Sequence, residues 1–462
     1  MIHEETICAV STAPGAGGVA LIRVSGEEAL TICDKIFRPV KQGKSVSTQK
    51  PYTLSYGSII KNEEPIDDVL IAVFHGPNSF TGENTVEITC HGSLYIQQQI
   101  LQLLIENGCR SALPGEFTQR AFMNGKMDLS QAEAVADLIA STSAATHRLA
   151  MNQMRGGFSS ELENLRGRML DFVSLVELEL DFSEEDVEFA DRSQLRILAD
   201  EIEGIIRNLA DSFSVGNAIK NGVPVAIIGE TNAGKSTLLN LLLNEEKAIV
   251  SDIHGTTRDV IEDTINIGGI TFRFIDTAGI RETSDVIESL GIQRTFRKLE
   301  QASVVLWMID GTSDKEQILA LAKKVLPMTE DKHLVVIFNK ADLISETQKA
   351  DLTALIPGQE PLFISAKNKI NTDSLHQKLM EAAHIPSVGQ NDVIVTNLRH
   401  YEALVKALAA IERVQNGLQM HISGDFLSQD IRECMYYLGE ISGRISTDDI
   451  LGSIFSKFCI GK

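Results

Sequence analysis

Gly229-Glu230-Thr231-Asn232-Ala233-Gly234-Lys235-Ser236 is a glycine, four open positions and then Gly-Lys-Ser. Val223–Ile228 before it is an apolar run of strand length, and Thr237–Leu243 after it is helical in pattern. A glycine-bearing turn between strand and helix lets the backbone curl until its N–H groups converge on phosphate oxygens. The helix N-terminus adds a positive dipole end. In this setting Lys235 reaches the β- and γ-phosphates and the Ser236 hydroxyl faces Mg2+. The stretch predicts a P-loop domain from about residue 216 to 382.

Four further signals follow in the order such a domain requires. Gly255-Thr256-Thr257-Arg258-Asp259 carries Thr257, placed to close on Mg2+ when a γ-phosphate is present. Asp276-Thr277-Ala278-Gly279 ends the apolar strand Thr271–Ile275. There Asp276 can hold Mg2+ through water, and the Gly279 N–H can sense the γ-phosphate. Leu334–Phe338 runs into Asn339-Lys340-Ala341-Asp342. The two acceptor oxygens of Asp342 match the N1–H and N2 amine of guanine, a donor pair adenine lacks, so GTP is expected over ATP. Ser365-Ala366-Lys367 supplies a backbone N–H for guanine O6. Ras-like GTPases place a water-positioning glutamine directly after Asp-x-x-Gly. That position here is Ile280, which cannot orient water. Hydrolysis must recruit another polar group, and Arg281–Glu288 is either its source or a solvated loop face.

The remaining sequence bounds the rest. At 462 residues the chain is long enough for about three domains, and 43% apolar with 23% charged residues is ordinary for a globular protein. The acidic start Met1-Ile2-His3-Glu4-Glu5 is unlike a signal peptide, and apolar runs such as Ser303–Ile309 fall far short of a membrane helix. The six cysteines are scattered without a Cys-x-x-Cys, which indicates neither a zinc site nor a disulfide framework. A cytoplasmic protein is expected. The net charge of −21 argues against broad nucleic-acid binding through a basic surface, though not against a local basic patch.

Residues 1–118 read as a mixed, strand-rich domain, with Val19–Val24, Asp68–Phe74 and Thr85–Cys90 as buried strands between Gly/Pro clusters. Residues 119–215 turn helical: Leu129, Ala132, Val135, Ala136 and Ile139 recur at helical spacing, as do Leu195, Leu198, Ile202, Ile205 and Leu209. Residues 383–462 are helical again. The expected architecture is multidomain α/β and α. A Ras-like P-loop domain is inserted in a helical domain, and a mixed α+β N-terminal domain precedes both.

Outside the nucleotide motifs stand Leu21-Ile22-Arg23-Val24-Ser25-Gly26, Gly76-Pro77-Asn78-Ser79-Phe80-Thr81-Gly82-Glu83, Pro114-Gly115-Glu116-Phe117-Thr118-Gln119-Arg120-Ala121-Phe122, Asn124-Gly125-Lys126-Met127-Asp128-Leu129 and the ending Phe458-Cys459-Ile460-Gly461-Lys462. With them the whole chain resembles the MnmE (TrmE) tRNA-modification GTPases. The resemblance implies a GTPase working with an FAD-containing partner, MnmG (GidA), on C5 of the tRNA wobble uridine, with a tetrahydrofolate derivative supplying the one-carbon unit. It further implies potassium-stimulated hydrolysis, a homodimer built on a folate-binding N-terminal domain, and a heterotetramer with MnmG.

Carried onto this sequence, the family's potassium ligands fall on Asn232, Ser251, Ile253 and Thr256. Mg2+ falls to Ser236 and Thr257, and the water-orienting glutamate to Glu288. Nucleotide contacts fall on Asn232, Ala233, Gly234, Lys235, Ser236 and Thr237, on Ser251, Asp252, Ile253, His254, Gly255, Thr256 and Thr257, and on Asp276, Thr277, Ala278 and Gly279. The guanine end falls to Asn339, Lys340, Ala341, Asp342, Ser365, Ala366 and Lys367. Folate contacts fall on Arg23, Glu87, Lys126 and Lys462. A carboxylate suits the donor edge of a pterin, and cations suit the glutamate tail. Cys459 is the cysteine tied to tRNA modification. Glu230, Thr231 and Ser251 depart from the family's common residues without removing a required group, and an acidic Glu230 beside the phosphate loop is expected to weaken nucleotide affinity slightly. Two other functions compete: a ribosome-assembly switch of the Era or Der type, and a GTP-binding scaffold with negligible turnover, for which Ile280 is the motive. The absence of a second P-loop counts against a Der-like protein, and the helical C-terminal stretch against an Era-like one.

Overall fold

A computed structural model describes residues 5–41, 43–181, 192–247, 263–275, 299, 301–383, 393–420, 422–445, 448–456 and 458–461. The chain divides into two compact units. One holds residues 1–140, 153–202 and 406–462, the other 141–152 and 203–405.

The first unit begins with β1 (Ile7–Val10), β2 (Val19–Ser25), α1 (Ala29–Ile36), β3 (Phe37–Pro39), β4 (Thr53–Lys61), β5 (Glu64–Phe74), β6 (Thr85–His91), α2 (Leu94–Glu106) and β7 (Arg110–Ser111). The strands form one sheet in the order β3-β4-β5-β6-β2-β1-β7, antiparallel except where β1 meets β7. Alternation decides its faces. Ile22 and Val24 of β2, Ile71 and Val73 of β5, and Val86 and Ile88 of β6 share a core with Ile32 and Ile36 of α1 and Ile100 and Leu104 of α2. Arg23 and Glu87, one residue out of phase, stand on the opposite face as direct cross-strand partners.

Then come α3 (Glu116–Met123), α4 (Leu129–Ala140), α5 (Ala144–Met154), α6 (Gly157–Asp181) and α7 (Arg192–Asn221). The nucleotide-domain elements are β8 (Val223–Ile228), α8 (Lys235–Lys247), β9 (Asp263–Ile267), β10 (Ile270–Phe274), β11 (Val304–Asp310), α9 (Lys315–Val325), β12 (His333–Asn339), α10 (Glu346–Leu355), β13 (Leu362–Phe363) and α11 (Thr372–Ala382). Their sheet runs β13-β12-β11-β8-β10-β9, with only the β9–β10 pair antiparallel. Leu238 and Leu242 of α8 and Leu375 and Leu379 of α11 cover one face. Ile318 of α9 and Leu352 of α10 cover the other. Such a doubly covered, mostly parallel sheet binds ligands beyond the carboxyl ends of its strands.

The chain closes with α12 (Leu398–Gln419), α13 (Gly424–Ser442) and α14 (Asp448–Phe455). These return to the helices that precede the nucleotide domain. Arg432 and Arg444 pair with Glu177 and Glu163 of α6, and Gln415 bonds Asp200 of α7 at 2.7 Å. The expected insertion of a P-loop domain between two halves of a helical domain is therefore present. The last residues dock on the N-terminal part: Ile460 bridges Pro114, Gly115 N donates to Cys459 O at 3.3 Å, and Ser11 Oγ donates to Gly461 O at 2.9 Å.

A buried charge network joins the quoted N-terminal motifs. Arg120 donates from Nη1 to Glu83 Oε2 at 3.1 Å and from Nη2 to Glu116 Oε1 at 2.9 Å, with Arg120 and Glu116 each 1% exposed. Arg110 donates to the two Glu116 oxygens at 2.7 and 3.0 Å, and Leu113 N donates to Oε2 at 2.8 Å. Burial acts to raise the Glu116 carboxyl, but the Arg110, Leu113 and Arg120 hydrogen bonds outweigh it and hold the pKa below its ordinary value. Removing one partner of such a pair strands a buried charge and costs about 3–5 kcal/mol. Arg120→Met is expected to lower the unfolding free energy of the N-terminal unit, read from urea titration, by that order. Because the folded Glu116 pKa is depressed, its contribution is present above the unfolded value and lost as pH falls through the folded one. Glu116→Gln is therefore expected to flatten the acid limb of a plot of unfolding midpoint against pH; an unchanged acid limb would refute the network's role.

Candidate functional site

The phosphate loop lies where the fold demands, between the carboxyl end of β8 and the first turn of α8. Lys235 Nζ lies over the loop and donates to Gly229 O at 2.8 Å and Glu230 O at 2.6 Å. Gly234 has φ +99, and a Cβ there would lie 2.2 Å from Asn339 Nδ2, so only glycine fits. Asn232 is exposed in the left-handed region at φ +65. Asn232, Ser236 and Thr237 make no side-chain hydrogen bond among the described residues, which leaves their oxygens available. The Ser236 hydroxyl at a helix N-terminus beside Lys235 is a donor set that suits Mg2+. Glu230 is held outward by α9: Gln317 Nε2 donates to its two carboxylate oxygens at 2.9 and 3.1 Å.

The guanine-end motifs converge on this loop. Asn339, 5% exposed at the end of β12, donates from Nδ2 to Ala233 O at 2.8 Å and accepts at Oδ1 from Ala366 N at 3.0 Å. One carboxamide thus ties the phosphate loop to Ser365-Ala366-Lys367. Ser365 and Ala366 are buried, Lys367 exposed. Lys340 takes the left-handed conformation at φ +61 and caps a short turn, Ala341–Leu343, on which Asp342 is exposed. The Lys340 ammonium pairs with Asp310 at the end of β11. Burial acts to raise the Asp310 carboxyl, but Lys340 and Thr312 outweigh it and its pKa is lowered.

Three of the four residues matched to folate contacts surround the 76–83 loop. Arg23 donates to Glu87 Oε1 from Nη2 at 2.8 Å and from Nε at 3.0 Å, and the pair is about one-fifth exposed at 18% and 22%. The Arg23 guanidinium lies 5.4 Å from the Phe80 ring centroid and 5.6 Å from that of Phe117. Lys126 Nζ donates to Pro77 O at 2.9 Å. Cys459 is exposed.

Ser251, Asp252, Ile253, His254, Gly255, Thr256, Thr257, Asp276, Thr277, Ala278, Gly279, Ile280, Glu288 and Lys462 lie outside the described residues. Sequence reasoning did not find the Asn339 bridge, the Gln317 and Asp310 contacts, or the two phenylalanines beside Arg23. Each joins residues far apart in the chain, and neither periodicity nor spacing carries that signal.

Residues 6–126 match the model of the GTP-binding protein TrmE N-terminus, and residues 129–459 match that of the MnmE helical domain. The tRNA modification GTPase MnmE of Bacteroides thetaiotaomicron is 67% identical over 466 residues, covering 100% of both chains. That of Parabacteroides distasonis is 64% identical, covering 99% of this chain and 100% of its own. That of Flavobacterium johnsoniae is 53% identical, covering 100% of both.

The chain belongs to the MnmE (TrmE) family of tRNA modification GTPases. Its enzyme class is GTP hydrolase. Within the family frame, Asn339 joins two stretches of the nucleotide domain rather than standing alone as a base reader. Asn339→Ala leaves a buried carbonyl and a buried N–H without their partner, at about 1–3 kcal/mol. Fluorescent-analogue titration is expected to show GTP and GDP weakened together, roughly 10- to 100-fold by that energy. A loss confined to GTP would rule out the bridge as the cause.

Proposed function

We propose that this MnmE-family chain hydrolyses GTP, stimulated by potassium, to drive modification of C5 of the tRNA wobble uridine together with FAD-containing MnmG, with a tetrahydrofolate derivative as one-carbon donor. The observation that carries the GTPase part is the Asn339 bridge, which closes phosphate loop and guanine loop into one cradle. Lys235 and the loop N–H groups bind the β- and γ-phosphates. Asp342, exposed on the turn after β12, accepts from guanine N1–H and the N2 amine, and the backbone of Ser365-Ala366-Lys367 meets guanine O6. Mg2+ neutralises charge between β- and γ-phosphates when bound, and Ser236 with Thr257 would hold it. Thr257 and Gly279 respond to the γ-phosphate, and Glu288 orients the attacking water in place of the glutamine that Ile280 replaces.

Potassium fits the same loop. Asn232 is exposed in the left-handed conformation with an uncommitted side-chain oxygen, and Ser251, Ile253 and Thr256 would complete the oxygen set. A cation there offsets charge that develops in the transition state, as an arginine finger does elsewhere. In the N-terminal domain, Glu87, with Arg23 paired to it, faces the donor edge of a pterin, while Lys126 and Lys462 suit the carboxylates of the glutamate tail. Cys459, exposed at the tail, serves the tRNA-modification step. The working domains are 1–118 for folate and dimerisation, 119–215 and 383–462 for the helical domain, and 216–382 for GTP. The assembly is a cytoplasmic homodimer that joins MnmG in a heterotetramer. No helix among the described residues is long and apolar enough to cross a membrane.

The test is GTP turnover in KCl and NaCl at matched ionic strength. Faster turnover in K+, with the difference abolished in Asn232→Ala, is expected. Equal turnover in both salts would discard the cation mechanism and reopen the ribosome-assembly alternative.

A further inference from the structure

The 76–83 loop is fixed more firmly than a surface loop needs to be. Side-chain donors hold four of its carbonyls: Lys126 Nζ on Pro77 O at 2.9 Å, the Tyr52 hydroxyl on Asn78 O at 2.9 Å, Asn124 Nδ2 on Thr81 O at 2.7 Å and Ser79 Oγ on Glu83 O at 2.6 Å. Glu83 in turn accepts from Ser25 Oγ at 2.8 Å and from the buried Arg120. Ordering a loop costs about 1–2 kcal/mol per residue, so this many anchors mark a segment whose shape is used. What the loop presents is Phe80. The residue remains 37% exposed although its ring centroid is only 5.4 Å from the Arg23 guanidinium carbon. Phe117, on the other contact of that guanidinium, is fully buried. Glu87 receives both Arg23 donors on Oε1, and its Oε2 takes no hydrogen bond among the described residues.

We infer that Phe80 is a ligand-contact residue, the stacking platform for the planar pyrimidinone ring of the tetrahydrofolate bound beside Arg23 and Glu87. This rests on the folate reading of the N-terminal domain. The pyrimidinone half of a tetrahydropterin is planar and carries a row of N–H donors along one edge, while its reduced half is puckered. The open Oε2 of Glu87 can take that edge, and the exposed aromatic ring against its partner Arg23 offers the π-face. The anchored loop fixes the ring before the ligand arrives, which reduces the entropy lost on binding. The aminobenzoyl-glutamate tail lies beyond the bicyclic ring and does not use Phe80.

The experiment is calorimetric titration of the full-length protein with 5-formyltetrahydrofolate and, by competition, with p-aminobenzoyl-glutamate, which lacks the pterin. Wild type, Phe80→Ala and Phe80→Trp are compared, with GTP turnover as a check of folding. Loss of a stacking ring is expected to weaken 5-formyltetrahydrofolate by about 10-fold in Phe80→Ala, with recovery to within about 2-fold in Phe80→Trp. The p-aminobenzoyl-glutamate affinity should stay unchanged. Unaltered 5-formyltetrahydrofolate binding by Phe80→Ala would overturn the inference. Equal losses on both ligands would overturn it too, because they would mark Phe80 as a structural part of the loop. No binding by wild type would instead overturn the folate reading itself, and the inference with it.

Discussion

Asn339 donates to Ala233 O and accepts from Ala366 N–H, and with those two bonds the crevice at the carboxyl edge of the nucleotide sheet acquires a fixed floor. The residue sits at the end of β12, buried, beside a glycine whose missing Cβ makes room for the amide. Three stretches separated by up to 133 positions, from Ala233 to Ala366, are thereby held to one geometry. The lysine next in sequence adds a second anchor through Asp310, so the turn carrying Asp342 is tied to β11 as well as β12. Nucleotide recognition needs the phosphates and the base held at a set separation. A single carboxamide between the two loops meets that need more economically than either loop could alone.

The N-terminal unit solves a similar problem with charge. Its sheet is covered by α1 and α2 on one face, where Ile22, Val24, Val86 and Ile88 lie in the core. The same alternation turns Arg23 and Glu87 to the other face, and the strand register sets them opposite each other. The loop over this pair cannot be held by apolar burial, because it is short and polar. Arg120, reaching from α3, pairs with Glu83 at the loop's end and with Glu116 on its own helix. Burying these charges is costly, and several hydrogen bonds to each group offset it. The Arg120 guanidinium and the Glu116 carboxylate accordingly engage several partners each, including the Glu5 carbonyl at 2.9 Å and the Leu113 N–H.

Much of this was legible in the amino acids. The strand–loop–helix around Gly229–Ser236 could be read because a buried parallel strand is a continuous apolar run: Val223–Ile228 is observed over the span expected. Leu129–Ile139 and Leu195–Leu209 showed helical spacing and lie in α4 and α7. Era-type and scaffold alternatives remained open in the sequence because the motifs specify phosphate and guanine binding, not what hydrolysis drives. The Asn339 bridge was hidden because its partners are backbone atoms 106 and 27 positions away, and backbone atoms leave no mark on residue identity. The Arg23–Glu87 pair was half visible. Alternation gave the face, but register depends on the turns between strands and cannot be counted from spacing. Phe80 and Arg120 stood in plain view within quoted motifs, yet their charge and aromaticity meant nothing until the loop was folded over Arg23.

The passage into and out of the nucleotide domain carries the last constraint. Gly222 alone separates α7 from β8, so two backbone dihedrals are all that lie between a 30-residue helix and the strand bearing the phosphate loop. The returning chain runs alongside. Val395 N donates to Ser212 Oγ at 3.0 Å, and Phe213 and Tyr401 stack with ring centroids 4.5 Å apart. A Cβ on Gly216 would lie 2.1 Å from Val395 O, so the returning segment is pressed directly against the α7 backbone. Ala218, two residues on, packs into the core beneath α8. Ser212, Phe213 and Gly216 of α7 thus pack directly against Val395 and Tyr401. A displacement of β8 finds no loose loop to absorb it before it reaches α7.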